Sequence, residues 1–138
     1  MITVRKADLE QFFPTLEKWL KRHNSAEVPK AIIDEIYVAE SGGVEIASLC
    51  LYVCRNGRIA VAEWLVSNPM VCHSRDLVQA VHALYAHVEN EARAAGCTAM
   101  IGWVEPGKGE EHIVLKRGFK TSDQGAHKLY AKPLYGEI

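Results

Sequence analysis

The chain has 138 residues, of which 49% are hydrophobic and 24% charged, values typical of one folded domain and not of a disordered or fibrous protein. The chain has 16 lysines and arginines and 17 aspartates and glutamates, which gives a net charge of −1. It therefore lacks the overall positive charge that attracts nucleic acid or an anionic membrane. The N-terminal residues lack the long apolar run of a signal peptide or a membrane span, so we expect a cytoplasmic protein.

The cysteines and histidines do not follow a metal-binding pattern. Cys50, Cys54, Cys72 and Cys97 lack a C-x-x-C pair, and only Cys72 has a histidine beside it. Zinc sites usually need two closely spaced pairs of ligands. We therefore expect no metal, and we predict free, mostly buried thiols.

The chain begins with a predicted strand and an amphipathic helix. Ile2–Arg5 alternates as a short strand does, and Asp8 with Gln11 is typical of a helix N-cap. One face of the helix carries Phe12, Leu16, Trp19, Leu20 and His23. Pro14 predicts that the main part of the helix begins at the proline. The stretch after the polar break 24–29 fits either a short helix or an early strand.

A β-meander is predicted next. Ile36–Glu40, Val44–Cys54 and Ile59–Val66 read as strands, joined by turns at Ser41–Gly43 and Asn56–Gly57. Glycine supplies the positive φ that tight hairpins need, so these strands should be antiparallel neighbours.

The second half begins with a longer helix. Its apolar stripe consists of Leu77, Val81, Leu84, Tyr85, Val88 and Ala92. Ser74 is the predicted N-cap, Asp76 lies in the first turn, and Gly96 marks the end. Thr98–Val104 is a continuous apolar run, typical of a strand buried on both faces. A helix between two strands of one sheet predicts that this strand lies parallel to the strand before the helix.

A short helix over Gly107–Arg117 and a hairpin of Lys120–Ser122 with His127–Pro133 complete the chain. No repeat or linker interrupts it. The elements together predict a single α/β (α+β) domain over residues 1–138, with a mixed central sheet of about six to seven strands flanked by helices.

The order β–α–(α)–β–β–β–α–β–α–β–β resembles the GNAT superfamily, the acyl-CoA-dependent N-acetyltransferases. Tyr37–Gly43 resembles the family's second strand and turn, Ala62–Val66 its fourth strand, Lys116–Phe119 the end of its fourth helix, and His127–Leu134 its last strand. The resemblance covers nearly the whole chain. It implies direct transfer of an acetyl group from acetyl-CoA to an amine of a small molecule or a protein.

The resemblance also implies where acetyl-CoA binds. In the family the pantetheine arm lies between the fourth and fifth strands and bonds to the fourth, which points to Leu65, Val66 and Ser67. The pyrophosphate lies at the start of the next helix, where unpaired N–H groups face an anion. The corresponding residues are Val71, Cys72, His73, Ser74, Arg75 and Asp76.

This loop departs from the family pattern R/Q-x-x-G-x-G/A. Ser74 and Asp76 stand about where the glycines would be, and a carboxylate beside a pyrophosphate opposes binding unless it faces away. His73 and Arg75 offer compensating donors. The alternative is that Ser74 only caps the helix and Arg75 is a solvated surface charge.

The resemblance leaves the proton donor open. Many members carry a tyrosine four residues before the glycine of the Gly-Phe pair, where it protonates the departing CoA thiolate, and here that position is Val114. His112 and Glu105 are nearby candidates. They can equally be a surface histidine and a loop carboxylate.

Glu63 is the candidate general base that accepts the proton of the acceptor amine. Strand alternation predicts that it shares a face with Leu65, opposite Trp64 and Val66. A carboxylate among apolar neighbours has a raised pKa. The alternative is a solvent-facing residue paired across the sheet with Arg58 or Lys120.

A second hypothesis is a catalytically inactive GNAT-like module with a structural or protein-binding role. The missing glycines and tyrosine support it, and it predicts that side chains such as Trp103 or Met70 fill the gap between the fourth and fifth strands. The three tryptophans are expected in the core. The third and fourth strands and the C-terminal hairpin are expected to offer edges at which a homodimer could form.

Overall fold

A computed structural model describes residues 1–54, 56, 58–71, 73–104, 107, 109–121 and 128–135 of the chain. The elements follow one another in the order expected from the sequence. They are β1 (Ile2–Lys6), α1 (Leu9–Arg22), a 3₁₀ turn (Lys30–Ile32), β2 (Glu35–Ser41), β3 (Val44–Cys54), β4 (Ile59–Ser67), α2 (Ser74–Ala94), β5 (Ala99–Val104), α3 (Gly109–Lys116), β6 (Lys120–Thr121) and β7 (Lys128–Pro133).

The described strands form one mixed seven-stranded sheet in the order β1-β2-β3-β4-β5-β7-β6. β4 and β5 are parallel, as the intervening helix predicts, and the other neighbours are antiparallel. The mixed sheet flanked by helices that the sequence predicts is confirmed. β3 and β4 lie inside the sheet, so the prediction that they form an edge of the sheet for dimerisation is wrong, because β2 pairs with β3 and β5 pairs with the first half of β4. The described edges are β1 and β6.

Helices cover both faces of the sheet. Tyr37, Ala39 and Leu49 belong to a core that includes the buried stripe of α2. Their neighbours Val38 and Cys50 point to the opposite face and join a second core under α1. Because side chains alternate along a strand, this division places α1 on one face and α2 on the other. The isoleucine and valine of α3 belong to the α2 core, so α3 lies on the α2 side.

α1 is one continuous helix, although the sequence predicts that its main part begins at Pro14. The Asp8 side chain accepts a hydrogen bond from the Gln11 amide at 3.2 Å, which fixes the start of the helix before the proline. Pro14 is exposed and removes one backbone hydrogen bond in the N-terminal half of the helix. The predicted apolar face is buried except for His23, which is exposed.

The start of α2 differs by one residue from its prediction. His73 occupies the N-cap, without a side-chain capping bond, and Ser74 is the first helical residue. The predicted capping role of Ser74 is therefore wrong, because the first helical bond already runs from the Leu77 amide to the His73 carbonyl. At the other end Gly96 has a φ of +88°, the left-handed geometry expected of a helix stop.

β5 is buried on one face, although its apolar sequence predicts burial on both. Met100 and Val104 are buried, whereas Trp103 is 50% exposed. Met100 and Val104 belong to the core under α2 and α3, and Trp103 lies on the opposite face because side chains alternate along a strand. Trp103 is therefore not a core residue. Among the cysteines, Cys50 and Cys97 are buried and Cys54 is exposed.

Candidate functional site

The sheet opens between β4 and β5. Within the described residues their parallel pairing runs from Ile59–Ala99 to Ala62–Gly102 and stops there. The remaining half of β4, Glu63–Ser67, continues to pair with β3, and no strand of the described chain pairs with its other side. Its backbone N–H and C=O groups on that side are therefore available to a ligand.

A β-bulge lies at the point where the two strands separate. The register with β3 passes from Cys50–Glu63 to Ser48–Val66, so that Trp64 and Leu65 together oppose one residue. Trp64 has a φ of +59°, which is rare for an aromatic residue. Strained backbone of this kind persists where the surrounding structure holds it, and it is concentrated at functional sites.

A cavity of about 790 Å³ lies beside this unpaired half of β4. Its described lining consists of Leu20, His23, Ser25, Ala26, Trp64, Leu65, Val66, Ser67, Leu77, Val78, Val81, Gly109, Glu110 and Ile113. Leu65 and Leu77 pack against the α2 core, whereas Leu20 and Trp64 pack against the α1 core. The cavity therefore reaches both faces of the sheet, and its volume is in the range of small-molecule and cofactor sites.

The side chains expected to fill the gap in an inactive protein lie elsewhere. Trp103 is 50% exposed and Met70 is 68% exposed, and neither is among the lining residues. The prediction that they close the gap is wrong, because Trp103 points to the uncovered face of β5 and Met70 lies in the turn after β4.

Glu63 lies on the α1 face of the sheet. It is the first residue of β4 beyond the pairing with β5, and it is not among the described residues that line the cavity. It is directly opposite Cys50, whose side chain is in the α1 core, and facing residues of antiparallel strands share a face. Leu65 packs on the α2 side, so the predicted sharing of a face by Glu63 and Leu65 is wrong. The bulge at Trp64 inserts an extra residue and reverses the alternation.

The environment of Glu63 favours its neutral form. Burial raises the pKa of its carboxyl above the ordinary value of 4.5. Within the described part of the chain no ion pair joins it to Arg58 or Lys120, the partners considered from sequence. It is therefore a half-buried carboxylate that can exchange a proton.

A second carboxyl enters the cavity from α3. Glu110 accepts a hydrogen bond of 2.6 Å from the Tyr85 hydroxyl, which belongs to the buried stripe of α2. Burial raises the pKa of Glu110 from 4.5 to about 7, although the Tyr85 hydrogen bond acts in the opposite direction. Glu110 is thus a group that changes charge near neutral pH inside the cavity.

His23 closes the cavity on the α1 side. Its Nε2 lies 2.8 Å from the Ser67 carbonyl oxygen and 3.2 Å from the Ser67 hydroxyl. This contact joins the end of α1 to the end of β4. Since Ser67 is the last residue of the unpaired half-strand, the histidine fixes the position of the strand end.

The loop residues proposed from the resemblance lie together at the N-terminus of α2. His73, Ser74 and Arg75 are exposed there, while Val71 and Asp76 are half-buried. The prediction for Cys72 falls outside the described residues, as do those for Glu105 and the loop 122–127.

His112 is separated from the cavity. It lies on the exposed side of α3 and is not among the described lining residues, whereas Val114 of the same helix is buried. Within the described residues, no three His, Cys, Asp or Glu side chains lie close enough together to hold a metal ion. No helix in the described ranges is long and apolar enough to cross a membrane.

The sequence analysis did not predict Glu110 as a site residue, the hydrogen bond from the Tyr85 hydroxyl to it, or the contact between His23 and Ser67. A signal for Glu110 was present, because it precedes Ile113 and Val114 by three and four residues and so shares their buried helix face. The pairing with Tyr85 depends on how α3 packs on α2, which no local pattern encodes.

The fold is shared with solved acetyltransferase structures. The ribosomal-protein-S18-alanine N-acetyltransferase from Escherichia coli has a TM-score of 0.77 at 13% sequence identity, and the match covers 100% of this chain and 97% of that chain. The PaiA N-acetyltransferase from Thermoplasma acidophilum, in complex with coenzyme A, has a TM-score of 0.66 at 14% identity. That match covers 96% of this chain and 99% of the other.

A third similar structure is a longer protein. The N-acetylglutamate synthase from Neisseria gonorrhoeae, complexed with coenzyme A and N-acetyl-glutamate, has a TM-score of 0.73 at 14% identity over 98% of this chain. The present chain spans 35% of that synthase chain. No protein-family model matches the sequence, and no curated protein matches it. At these identities the likeness shows the fold, and the GNAT fold expected from the sequence is confirmed.

Proposed function

We propose that the protein is an acetyl-CoA-dependent N-acetyltransferase that moves an acetyl group directly to an amine. The observation that carries the proposal is the cavity at the separation of β4 and β5, which is open to both faces of the sheet. Two substrates can therefore meet there from opposite sides, as a direct transfer requires.

The unpaired half of β4 is the proposed site of the pantetheine arm. A chain with amide groups can hydrogen-bond to the backbone edge at Leu65, Val66 and Ser67, as an added strand would, and the Ser67 carbonyl already bonds to His23. The apolar side chains of Leu77 and Val81 face the same space and favour the alkyl parts of the arm.

The N-terminus of α2 is the proposed site of the pyrophosphate. The first amides of this 21-residue helix have no intrahelical partner, and the helix dipole favours an anion there. His73, Ser74 and Arg75 are exposed at that end and can add donors. Asp76 opposes the phosphate charge, so we expect weaker binding than a glycine loop would give.

Glu63 is the proposed general base. The acceptor amine is an ammonium ion at neutral pH and must lose a proton before it attacks the thioester carbonyl. Glu63 lies on the α1 face, directly after the last residue of β4 that pairs with β5, and its raised pKa makes it a stronger base than an ordinary carboxylate. We assign no step to His112, which remains a candidate from sequence alone.

Calorimetric titration with acetyl-CoA tests the proposal. We expect binding by the natural protein, and weaker binding by Gly109→Phe. Gly109 lines the cavity, and a side chain added there meets open space, so the ring should occupy the room of the ligand without disturbing the fold. Leu115→Phe, an exposed position on the same helix, is the matched control and should bind normally. Absence of binding by the natural protein at millimolar acetyl-CoA would sink the proposal and favour an inactive module.

A further inference from the structure

The cavity contains few groups that can move a proton. Among its described lining residues, His23 carries the imidazole and Glu110 the carboxyl group. The Nε2 atom of His23 lies 2.8 Å from the Ser67 carbonyl, an acceptor that retains the proton on that nitrogen. Glu110 has one carboxyl oxygen bonded to Tyr85 and lies beside the apolar side chain of Ile113.

We propose that Glu110 is the acid that protonates the sulfur of the departing CoA thiolate, a role that rests on the acetyl transfer proposed above. A thiolate released into an apolar cavity is poorly solvated, so a nearby proton donor stabilises it. Glu110 shares the cavity with the backbone of Leu65–Ser67, the proposed pantetheine site. Val114, one helical turn away, is apolar and cannot supply the proton.

The protons and bonds balance with two carboxyl groups. The amine nitrogen forms a bond to the thioester carbonyl carbon, and the carbon–sulfur bond breaks with its electron pair on sulfur. The proton of Glu110 moves to that sulfur and yields the CoA thiol. The nitrogen of the ammonium ion loses two protons to Glu63 in turn, one before the attack and one as the amide forms, and Glu63 passes the first to solvent before it accepts the second. Before the next turnover Glu110 regains a proton and Glu63 releases one to solvent.

The charges around Glu110 suit a donor near neutral pH. From α2 it faces the Tyr85 hydroxyl, from α1 the cavity is closed by His23, and β4 contributes the Ser67 hydroxyl without a charge. On its own helix Glu111 is turned toward the Tyr130 hydroxyl. A pKa of about 7 is close to that of a thiol, so the proton transfer is nearly balanced.

Proton uptake during binding gives a test that does not depend on activity. Pantetheine covering Glu110 excludes water and raises the pKa of its carboxyl further, so protons are taken up when acetyl-CoA binds at pH 7. Titration calorimetry in buffers of different ionisation enthalpy measures this uptake. We expect the natural protein and the neighbouring control Glu111→Gln to take up equal fractions of a proton, and Glu110→Gln to lose that contribution. Protons exchanged by the ligand phosphates are common to all three proteins.

The pH dependence of acetyl transfer supplies the second readout. Because an acid must be protonated to act, kcat of the natural enzyme should fall as pH rises through the pKa of Glu110. In Glu110→Gln this fall of kcat at alkaline pH (the alkaline limb) should disappear, and kcat at pH 7 should be about 100-fold lower than in the natural enzyme. Tyr85→Phe removes a bond that lowers the pKa of Glu110, so the limb should move to higher pH.

The outcomes separate this inference from the proposed function. If acetyl-CoA does not bind the natural protein, both fail. If it binds, and Glu110→Gln keeps the same proton uptake and the same alkaline limb, Glu110 is not the acid while the acetyltransferase proposal stands. If the fall of kcat in Tyr85→Phe occurs at the same pH as in the natural enzyme, that result also counts against Glu110 as the acid.

Discussion

Glu110 shows how one buried carboxyl couples stability to pH. Its pKa is about 7 in the folded protein against an ordinary 4.5, so the folded state binds the proton more tightly than the unfolded state does. The stability that the neutral carboxyl contributes is complete below about pH 4.5 and is lost as pH rises through 7.

Glu110→Gln should remove this loss, because glutamine stays neutral. We expect the variant to match the natural protein near pH 5 and to exceed it at pH 8 by about 1 to 3 kcal/mol in the free energy of unfolding. Urea denaturation at the two pH values measures the difference. Glu111→Gln, next to it on α3, should show no such gain, and a Glu110 variant that is less stable at pH 8 would contradict the raised pKa.

At the scale of residues, the sequence was informative where a local pattern sets burial. The stripe Leu84, Tyr85 and Val88 is buried as its spacing predicts. The hydroxyl of Tyr85 finds its acceptor only because α3 packs on α2, a contact 25 positions away in the chain. Charged residues at a helix start usually face water, which is why Glu110 was not singled out.

At the scale of elements, the carboxylate of Glu89 connects α2 with the end of α3 and with β7. Glu89 of α2 is 2% exposed, and its oxygens lie 2.9 Å from Arg117 Nε after α3 and 2.6 Å from Lys132 Nζ of β7. Arg93, one turn along α2, lies 3.8 Å away. The basic groups offset the cost of burying the negative charge.

Glu89→Gln should leave these cations without their counter-charge. We expect the free energy of unfolding to fall by about 3 kcal/mol, as measured by urea denaturation. Glu91→Gln, an exposed position on the same helix, is the control and should change it by less than about 0.5 kcal/mol. Equal losses in the two variants would show that Glu89 does not hold the elements together.

Element boundaries were predictable where residues mark them. Glycines at Ser41–Gly43 and at Gly96 define turns and a helix end, and the strands of the meander agree to within about one residue. The bulge at Trp64 carries no such mark, because left-handed backbone is normally signalled by glycine or asparagine. The bulge also separates Glu63 from Leu65, which strand alternation predicts to share one face.

At the scale of the whole molecule, the sheet has two parts. β1–β4 form an antiparallel meander with long ladders, and β5, β7 and β6 form a second set. The described pairing that joins them is limited to Ile59–Ala62 against Ala99–Gly102. The order of the strands was predictable from the βαβ pattern, whereas the early end of this ladder was not, since it depends on the bulge.

Hydrogen exchange should reveal this division. We expect amides of β5 and β7 to exchange faster than those of β2 and β3, because fewer ladder bonds hold the second set in place. Acetyl-CoA should slow exchange at Leu65–Ser67 and across β5. Mass spectrometry with and without the ligand measures both effects, and uniform protection of the two parts would contradict the expected difference.

The opening in the sheet then has a consequence for the lifetime of the protein in a cell. If acetyl-CoA fills the gap, it acts as a missing part of the fold, and folded-state stability rises with the logarithm of its concentration. When the metabolite is scarce, the second set of strands opens more often and proteases reach it sooner. The abundance of the protein would then follow the supply of its own substrate.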